Sequence, residues 1–144
     1  MREIAPEAIA EAVSAMCRNA NYDLPADVRA ALQRARDEET SGVAVEVLDT
    51  LLRNAEVAAA ERLALCQDCG VAVFFVELGR DVHLGGDLYA AISEGVRAGY
   101  ESGYLRKSMV RDPLRRDTNT GDNTPAVVHV RLVEGDRLRL TIAP

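Results

Sequence analysis

The stretch Leu63–Gly79, "LALCQDCGVAVFFVELG", is where the hydrophobic period of this chain changes. Upstream, apolar residues recur at helical spacing. From Val71 to Leu78 they run almost unbroken, β-branched and aromatic, as in a buried strand. At the change of period stand Cys66 and Cys69, with Gln67 and Asp68 between them. A helix-rich first half and a strand-bearing second half follow from this one segment.

Working towards the N-terminus, three helices are expected. "PEAIAEAVSAMCRNA" spaces Ile9, Val13 and Met16 helically, with Pro6 suited to the first turn. "LPADVRAALQRARDEE" turns Val28, Ala31, Leu32 and Ala35 to one side, and "SGVAVEVLDTLLRNAEVAAAERLAL" stripes Ala44, Val47, Leu48, Leu51, Leu52 and Ala55. Short polar connections predict that the three pack as neighbours.

Working towards the C-terminus, "GGDLYAAISEGVRAGYESG" returns to helical spacing through Leu88, Ile92 and Val96. "RDPLRRDTNTGDNTP" is turn chemistry almost throughout. "AVVHVRLVEGDRLRLTIAP" alternates, with Val128, Val130 and Leu132 on one face, a turn at Glu134-Gly135-Asp136, and Leu138, Leu140 and Ile142 resuming the pattern. It is expected to be a hairpin. The predicted fold class is α+β: N-terminal helices packed on a small β-sheet that includes a C-terminal hairpin, as a single domain over residues 1–144.

The chain has 144 residues, 48% hydrophobic and 28% charged, enough for a core and too apolar for global disorder. Aromatics at 4% and the absence of tryptophan make that core aliphatic. No apolar run nears the roughly 20 residues that span a bilayer, and the first residues lack a signal-peptide core. Three cysteines imply no disulfide framework, so a cytoplasmic location is expected. The net charge of −6 disfavours nucleic acid and membrane as partners. Yet "LRKSMVRDPLRR" sets Arg106, Lys107, Arg111, Arg115 and Arg116 against Asp112 alone, a patch suited to a small anion. The bland reading of the same patch is a solvated face.

The CxxC pair has several readings. A redox couple places its thiol at a helix N-terminus after a strand, and here the order is reversed. Zinc asks for four ligands, and only the scattered Cys17, His83 and His129 remain. By alternation His129 shares a strand face with Arg131 and reads as solvated; His83 lies in a glycine-rich turn. Free cysteine is commonly a small buried hydrophobe, which suits Cys17 on its apolar helix face. Gln67 and Asp68 fit that reading poorly for Cys66, because two polar side chains are costly to bury without partners.

"LCQDCGVAVFFVELG" resembles the cluster-binding segment of the class I, iron–sulfur-dependent fumarases and tartrate dehydratases, where Cys-Gln-Asp-Thr-Gly is the common form. "LPADVRAALQRARDEE", "LRNAEVAAAE", "YLRKSMVRDPLRRDTNTGDNTPAVVH" and "VEGDRLRLTIAP" resemble the same family, in the same order, so the likeness covers essentially the whole chain. It implies a hydro-lyase that reversibly hydrates a C4 dicarboxylate, fumarate to malate or tartrate to oxaloacetate. It also implies a [4Fe-4S] cluster held by three cysteines, with one iron left open. By position, Cys66 would be a cluster ligand, Gln67 would bond substrate oxygens, Asp68 would transfer a proton or orient the hydroxyl, and Arg106 would clamp a carboxylate. Cys69 stands where the family usually has threonine. The family continues past the position of Pro144 into a Lys-Gly-x-Gly-Ser-Glu-Asn segment and two further cluster cysteines. The resemblance therefore implies the N-terminal part of an α subunit, without the cluster when alone, whose partners are the rest of that subunit and a β subunit or C-terminal domain, in an oligomer. The other functional reading, independent of the family, is a non-catalytic domain that binds a small anion or a protein through the patch around Arg106. A thiol redox module is the third. "DTNTGDN" reads as a structural turn whose Asn and Asp side chains satisfy backbone groups.

Overall fold

A computed structural model describes residues 2–144. In chain order the elements are β1 (Arg2–Ile4), α1 (Pro6–Tyr22), α2 (Ala26–Glu38), α3 (Gly42–Glu61), β2 (Val73–Gly79), β3 (Val82–Leu84), α4 (Leu88–Ser102), β4 (Val110–Asp112), β5 (Arg115–Asn119), β6 (Val127–Val133) and β7 (Leu138–Ala143). The fold is α+β, as the change of period predicts. No helix among the described residues is long and apolar enough to cross a membrane.

The main sheet has the order β6-β2-β7. β2 pairs in parallel with β6 and antiparallel with β7. The registers align Phe74 with Val128 and Ile142, Val76 with Val130 and Leu140, and Leu78 with Leu132 and Leu138. One face of the sheet is therefore the apolar set that the alternation predicts. The expected C-terminal hairpin, however, does not form: β6 and β7 face each other only through β2. The reason lies in β2, whose unbroken apolar run is best served at the centre, with a ladder on each edge and helices over it. Flanking strands then stand two inter-strand spacings apart, about 9.5 Å, a gap that a two-residue turn does not bridge. Residues Glu134–Arg137 bridge it by arching over the end of β2, where Gly79 N–H donates to Arg137 O (2.8 Å) and Arg80 N–H to Val133 O (2.9 Å). A Cβ on Gly79 would lie 2.3 Å from Gly135 O, so only glycine passes beneath the arch.

Helix neighbours also differ from expectation. α1 packs chiefly on α4, not on α2. Ile9, Val13 and Cys17 meet Ile92, Val96 and Tyr100 in the core, and the two backbones approach closely at Gly95 and Gly99. A Cβ on Gly95 would fall 2.5 Å from Ala10 O and 2.6 Å from Val13 Cβ. α2 buries no residue fully; it lies on α3, held by Arg29–Glu56 (2.9 Å) and Arg36–Asp49 (2.8 Å). With only Ala, Val28 and Leu32 on its apolar side, α2 has too little surface to displace α4 from α1. The turn-rich segment after α4 holds a short ribbon, β4–β5, and β1 pairs in parallel with β3, so His83 is on a strand and not in a turn.

Candidate functional site

α3 ends at Arg62, whose left-handed φ of 55° turns the chain. Leu65 is then fastened on both sides: its N–H donates to Asn21 O (2.8 Å) and its carbonyl accepts from Asn54 Nδ2 (2.8 Å). The next three side chains, Cys66, Gln67 and Asp68, are exposed, and Cys69 is buried. This is why the two cysteines differ despite their spacing. Leu65 anchors one end of the loop, and Cys69 anchors the other by pointing into the core that opens β2.

Cys69 is tied on three sides. Its carbonyl accepts from the buried Tyr100 hydroxyl (2.8 Å), its Sγ accepts from Arg106 N–H (3.2 Å), and its thiol points at Cys66 O (3.8 Å). Desolvation by burial pushes the Tyr100 hydroxyl pKa up, so it remains a donor. Asp68 Oδ1 accepts from Gly70 N–H (3.2 Å) and from Ser108 Oγ–H (3.2 Å). Gly70 has φ +59°, a left-handed turn that directs its N–H back to Asp68.

The loop thus meets the segment that follows α4. Arg106 begins that segment with its backbone on Cys69 and its side chain exposed. Among the described residues Arg106, Lys107, Arg111 and Arg116 enter no ion pair, whereas Arg115 pairs with Asp117 (2.9 Å). The structure therefore brings Cys66, Gln67, Asp68 and the backbone of Arg106 to one rim, at the N-terminal end of β2.

Ser108, Tyr100 and Asn123 join that rim without having been singled out from the sequence. Ser108 had a signal, its place in the Leu-Arg-x-Ser segment. Tyr100 reads as another core aromatic. Asn123 belongs to the turn-rich "DTNTGDN", whose Asn119 and Asp122 side chains bond backbone groups as read, although Asp117, Thr118 and Asn119 lie in β5 and only the rest is irregular. Asn119 Oδ1 accepts from Gly121 N–H (2.8 Å), and its Nδ2 donates to Lys107 O (2.9 Å). Asp122 accepts from the N–H and hydroxyl of Thr124 (3.0 and 2.8 Å) and from Arg97 Nε (3.2 Å). Desolvation pulls the Asp122 pKa up, but the hydrogen bonds from Thr124, Arg97 and Thr120 together outweigh it and bring the carboxyl down to about 2.

The thiols decide what metal chemistry this chain can support. Cys17 is fully buried between α1 and α4, and burial raises its thiol to about 12. Cys69 faces inward. Only Cys66 is exposed, and no group of three or more His, Cys, Asp and Glu among the described residues could hold a metal ion. Cys66 is therefore the one cysteine thiol placed to reach a metal from this chain, and by itself it could hold a cluster by one corner only. His129 is exposed on β6 and stacks on Phe75 (centroids 5.3 Å apart), so it is a solvated strand histidine.

Fold and rim define a class: an α+β domain whose loop ahead of the central strand displays one thiol beside a carboxyl held to an arginine-bearing segment. The chain belongs to the fumarate hydratase (Fumerase) family, whose model matches residues 10–144. It is 32% identical over 124 residues to a putative L(+)-tartrate dehydratase subunit alpha from Methanocaldococcus jannaschii, covering 83% of this chain and 43% of the relative. It is 34% identical over 140 residues to the aerobic class I fumarate hydratase of Escherichia coli, covering 95% of this chain and 25% of the relative. An L(+)-tartrate dehydratase subunit alpha of Escherichia coli is 28% identical over 121 residues, covering 83% of this chain and 40% of the relative. The chain thus spans well under half the length of these relatives.

Proposed function

We propose that this chain is part of an iron–sulfur hydro-lyase that reversibly hydrates a C4 dicarboxylate, fumarate to malate first and tartrate to oxaloacetate second. The observation that carries the reading is the hydrogen bond from Ser108 to Asp68, which joins the exposed cysteine loop to the segment of the unpaired Arg106. Cys66, as thiolate, would hold a [4Fe-4S] cluster by one corner. That group, when bound, supplies an iron that polarises a substrate oxygen.

The chain's own residues do the rest on this side of the site. The Arg106 guanidinium offers a planar pair of donors to a carboxylate, and its geometry is the reason that lysine is a poor substitute. The Gln67 amide is exposed next to Cys66 and can donate to and accept from substrate oxygens. Asp68 has Oδ1 engaged by Gly70 and Ser108, which leaves Oδ2 to take or give a proton. The remaining ligands and substrate contacts would come from the further polypeptide that the relatives carry, and from assembly with it.

The test is anaerobic loading, with iron and sulfide, of this chain together with that further polypeptide, followed by hydration of fumarate and dehydration of L(+)-tartrate. Turnover of either supports the reading. A loaded protein that turns over neither sinks it. The four unpaired cations Arg106, Lys107, Arg111 and Arg116 favour a second reading, non-catalytic binding of a small dianion or a protein. It predicts that succinate binds the isolated chain and that replacing Arg111 and Arg116 weakens binding as much as replacing Arg106.

A further inference from the structure

Asn123 is wholly buried, at 0% exposure, and among the described residues the only other buried amide or charged side chain is Asn21. All the bonds of its side chain cross between segments. Oδ1 accepts from the backbone N–H of Ser108 (2.7 Å) and of Met109 (3.0 Å), and Nδ2 donates to Gly70 O (3.1 Å). One planar amide thus spans from the loop after Cys66 to the segment after Arg106. Its backbone φ of 61° is left-handed, a conformation that asparagine adopts more readily than most residues. The turn that carries it is itself fixed, by the Asn119 and Asp122 bonds and by Thr120 N–H donating to Met109 O (2.9 Å).

The places where those bonds land are informative. Gly70 lies two residues after Asp68, and Ser108 two residues after Arg106. Gly70 N–H and Ser108 Oγ–H both reach Asp68 Oδ1. The amide of Asn123 therefore holds, through their backbones, the two residues whose other groups grip the same carboxylate oxygen. We infer that Asn123 is a positioning residue of the hydro-lyase site: its buried side chain sets the spacing between the Cys66–Asp68 loop and the Arg106–Ser108 segment, and so aims Asp68 Oδ2 and the Arg106 guanidinium at one substrate. The inference rests on the proposed function for its catalytic consequence, although the coupling of the two segments stands without it. Displacement of about 1 Å between reacting groups can cost on the order of a hundredfold in rate.

Asn123→Gly keeps the left-handed backbone and removes the clamp. In amide spectra of the 144-residue chain, it should shift Gly70 and Arg106 to Met109 together. It should also speed hydrogen exchange at Ser108 and Met109 by at least about tenfold, leaving the β2 amides protected. Changes confined to residues 119–125 would overturn the inference. In the loaded enzyme, Asn123→Gly should lower kcat/KM at least about tenfold. Ser108→Ala, which leaves every Asn123 bond in place, should lower kcat with KM little changed. Val13→Ala, a core truncation remote from the rim, supplies the stability control and should keep kcat. If it loses as much kcat as Asn123→Gly at similar stability, the role of Asn123 is structural only and the inference falls. Should Asn123→Gly not fold, Asn123→Asp decides, because it keeps the acceptor for Ser108 and Met109 and loses the donor to Gly70 O: unshifted Gly70 and Ser108 amides with an unchanged kcat overturn the inference. Wild-type enzyme inert towards fumarate and tartrate would remove the proposed function, while the spectra would still decide the coupling.

Discussion

The backbone N–H of Arg106 donates to Cys69 Sγ at 3.2 Å, so a buried thiol ties the arginine-bearing segment to the loop that exposes Cys66. The relation separates two cysteines that are alike in sequence. Cys69 acts as an acceptor in the position where the family usually has threonine, whose hydroxyl can accept the same bond. Cys66 alone faces outward. Cys69→Thr should therefore leave cluster content and activity of the loaded enzyme unchanged, and Cys66→Ser should abolish both. Iron and sulfide analysis checks this; iron lost with Cys69→Thr would make Cys69 a ligand.

Accessibility gives a simpler measurement on the chain alone. Iodoacetamide at neutral to mildly alkaline pH should modify Cys66 rapidly, and Cys69 and Cys17 only after unfolding, because the thiolate is the nucleophile and burial holds Cys17 up at about 12. Peptide mass mapping at short times reads the outcome. For the same reason, this chain reconstituted by itself should form no stable [4Fe-4S] chromophore and show no fumarate hydration.

Arg106→Lys should lower kcat/KM of the loaded enzyme at least about tenfold, through loss of a bidentate charged pair of roughly 1.5–3 kcal/mol. Arg116→Lys should do little. Equal small effects at the two positions would take Arg106 out of the site.

Gly95→Ala should destabilise the chain by roughly 1–3 kcal/mol, the usual range for overpacking a tight core. The added methyl meets Ala10 O and Val13, backbone and a branched side chain that have little room to move. Urea unfolding measures the change. A neutral result would mean that α1 and α4 are more loosely packed than the structure shows.

Asp122 carries an acid-dependent part of the stability. Its folded pKa, about 2, lies below the ordinary carboxylate value of about 4, so its contribution is complete above that ordinary value and is lost as pH falls towards 2. Asp122→Asn should flatten the fall in stability over that window and lower stability at neutral pH. Denaturant unfolding at stepped pH would show it, and a slope equal to the wild type's would contradict it.

Much of the fold is legible in the chain because period and turn chemistry are local. The change from helical spacing to an unbroken apolar run marks β2, the alternation after Ala126 assigns the shared apolar face of β6 and β7, although Val130 and Leu132 on it stay exposed, and "DTNTGDN" announces its own backbone-satisfying side chains. The candidate site residues Cys66, Gln67, Asp68 and Arg106 stand out by a motif, which records residue types in order and nothing of their distances. Partnership is what the tertiary structure decided. Alternation places Val130 and Leu140 on one face without revealing that Val76 stands between them, because side-chain period is a property of one strand and pairing a property of three. Likewise no spacing rule distinguishes Cys66 from Cys69, or shows Asn123 reaching Gly70 and Ser108 at once. Those relations depend on the closure of the core around Tyr100 and Phe74, which turns one thiol inward and buries one amide where two distant segments meet.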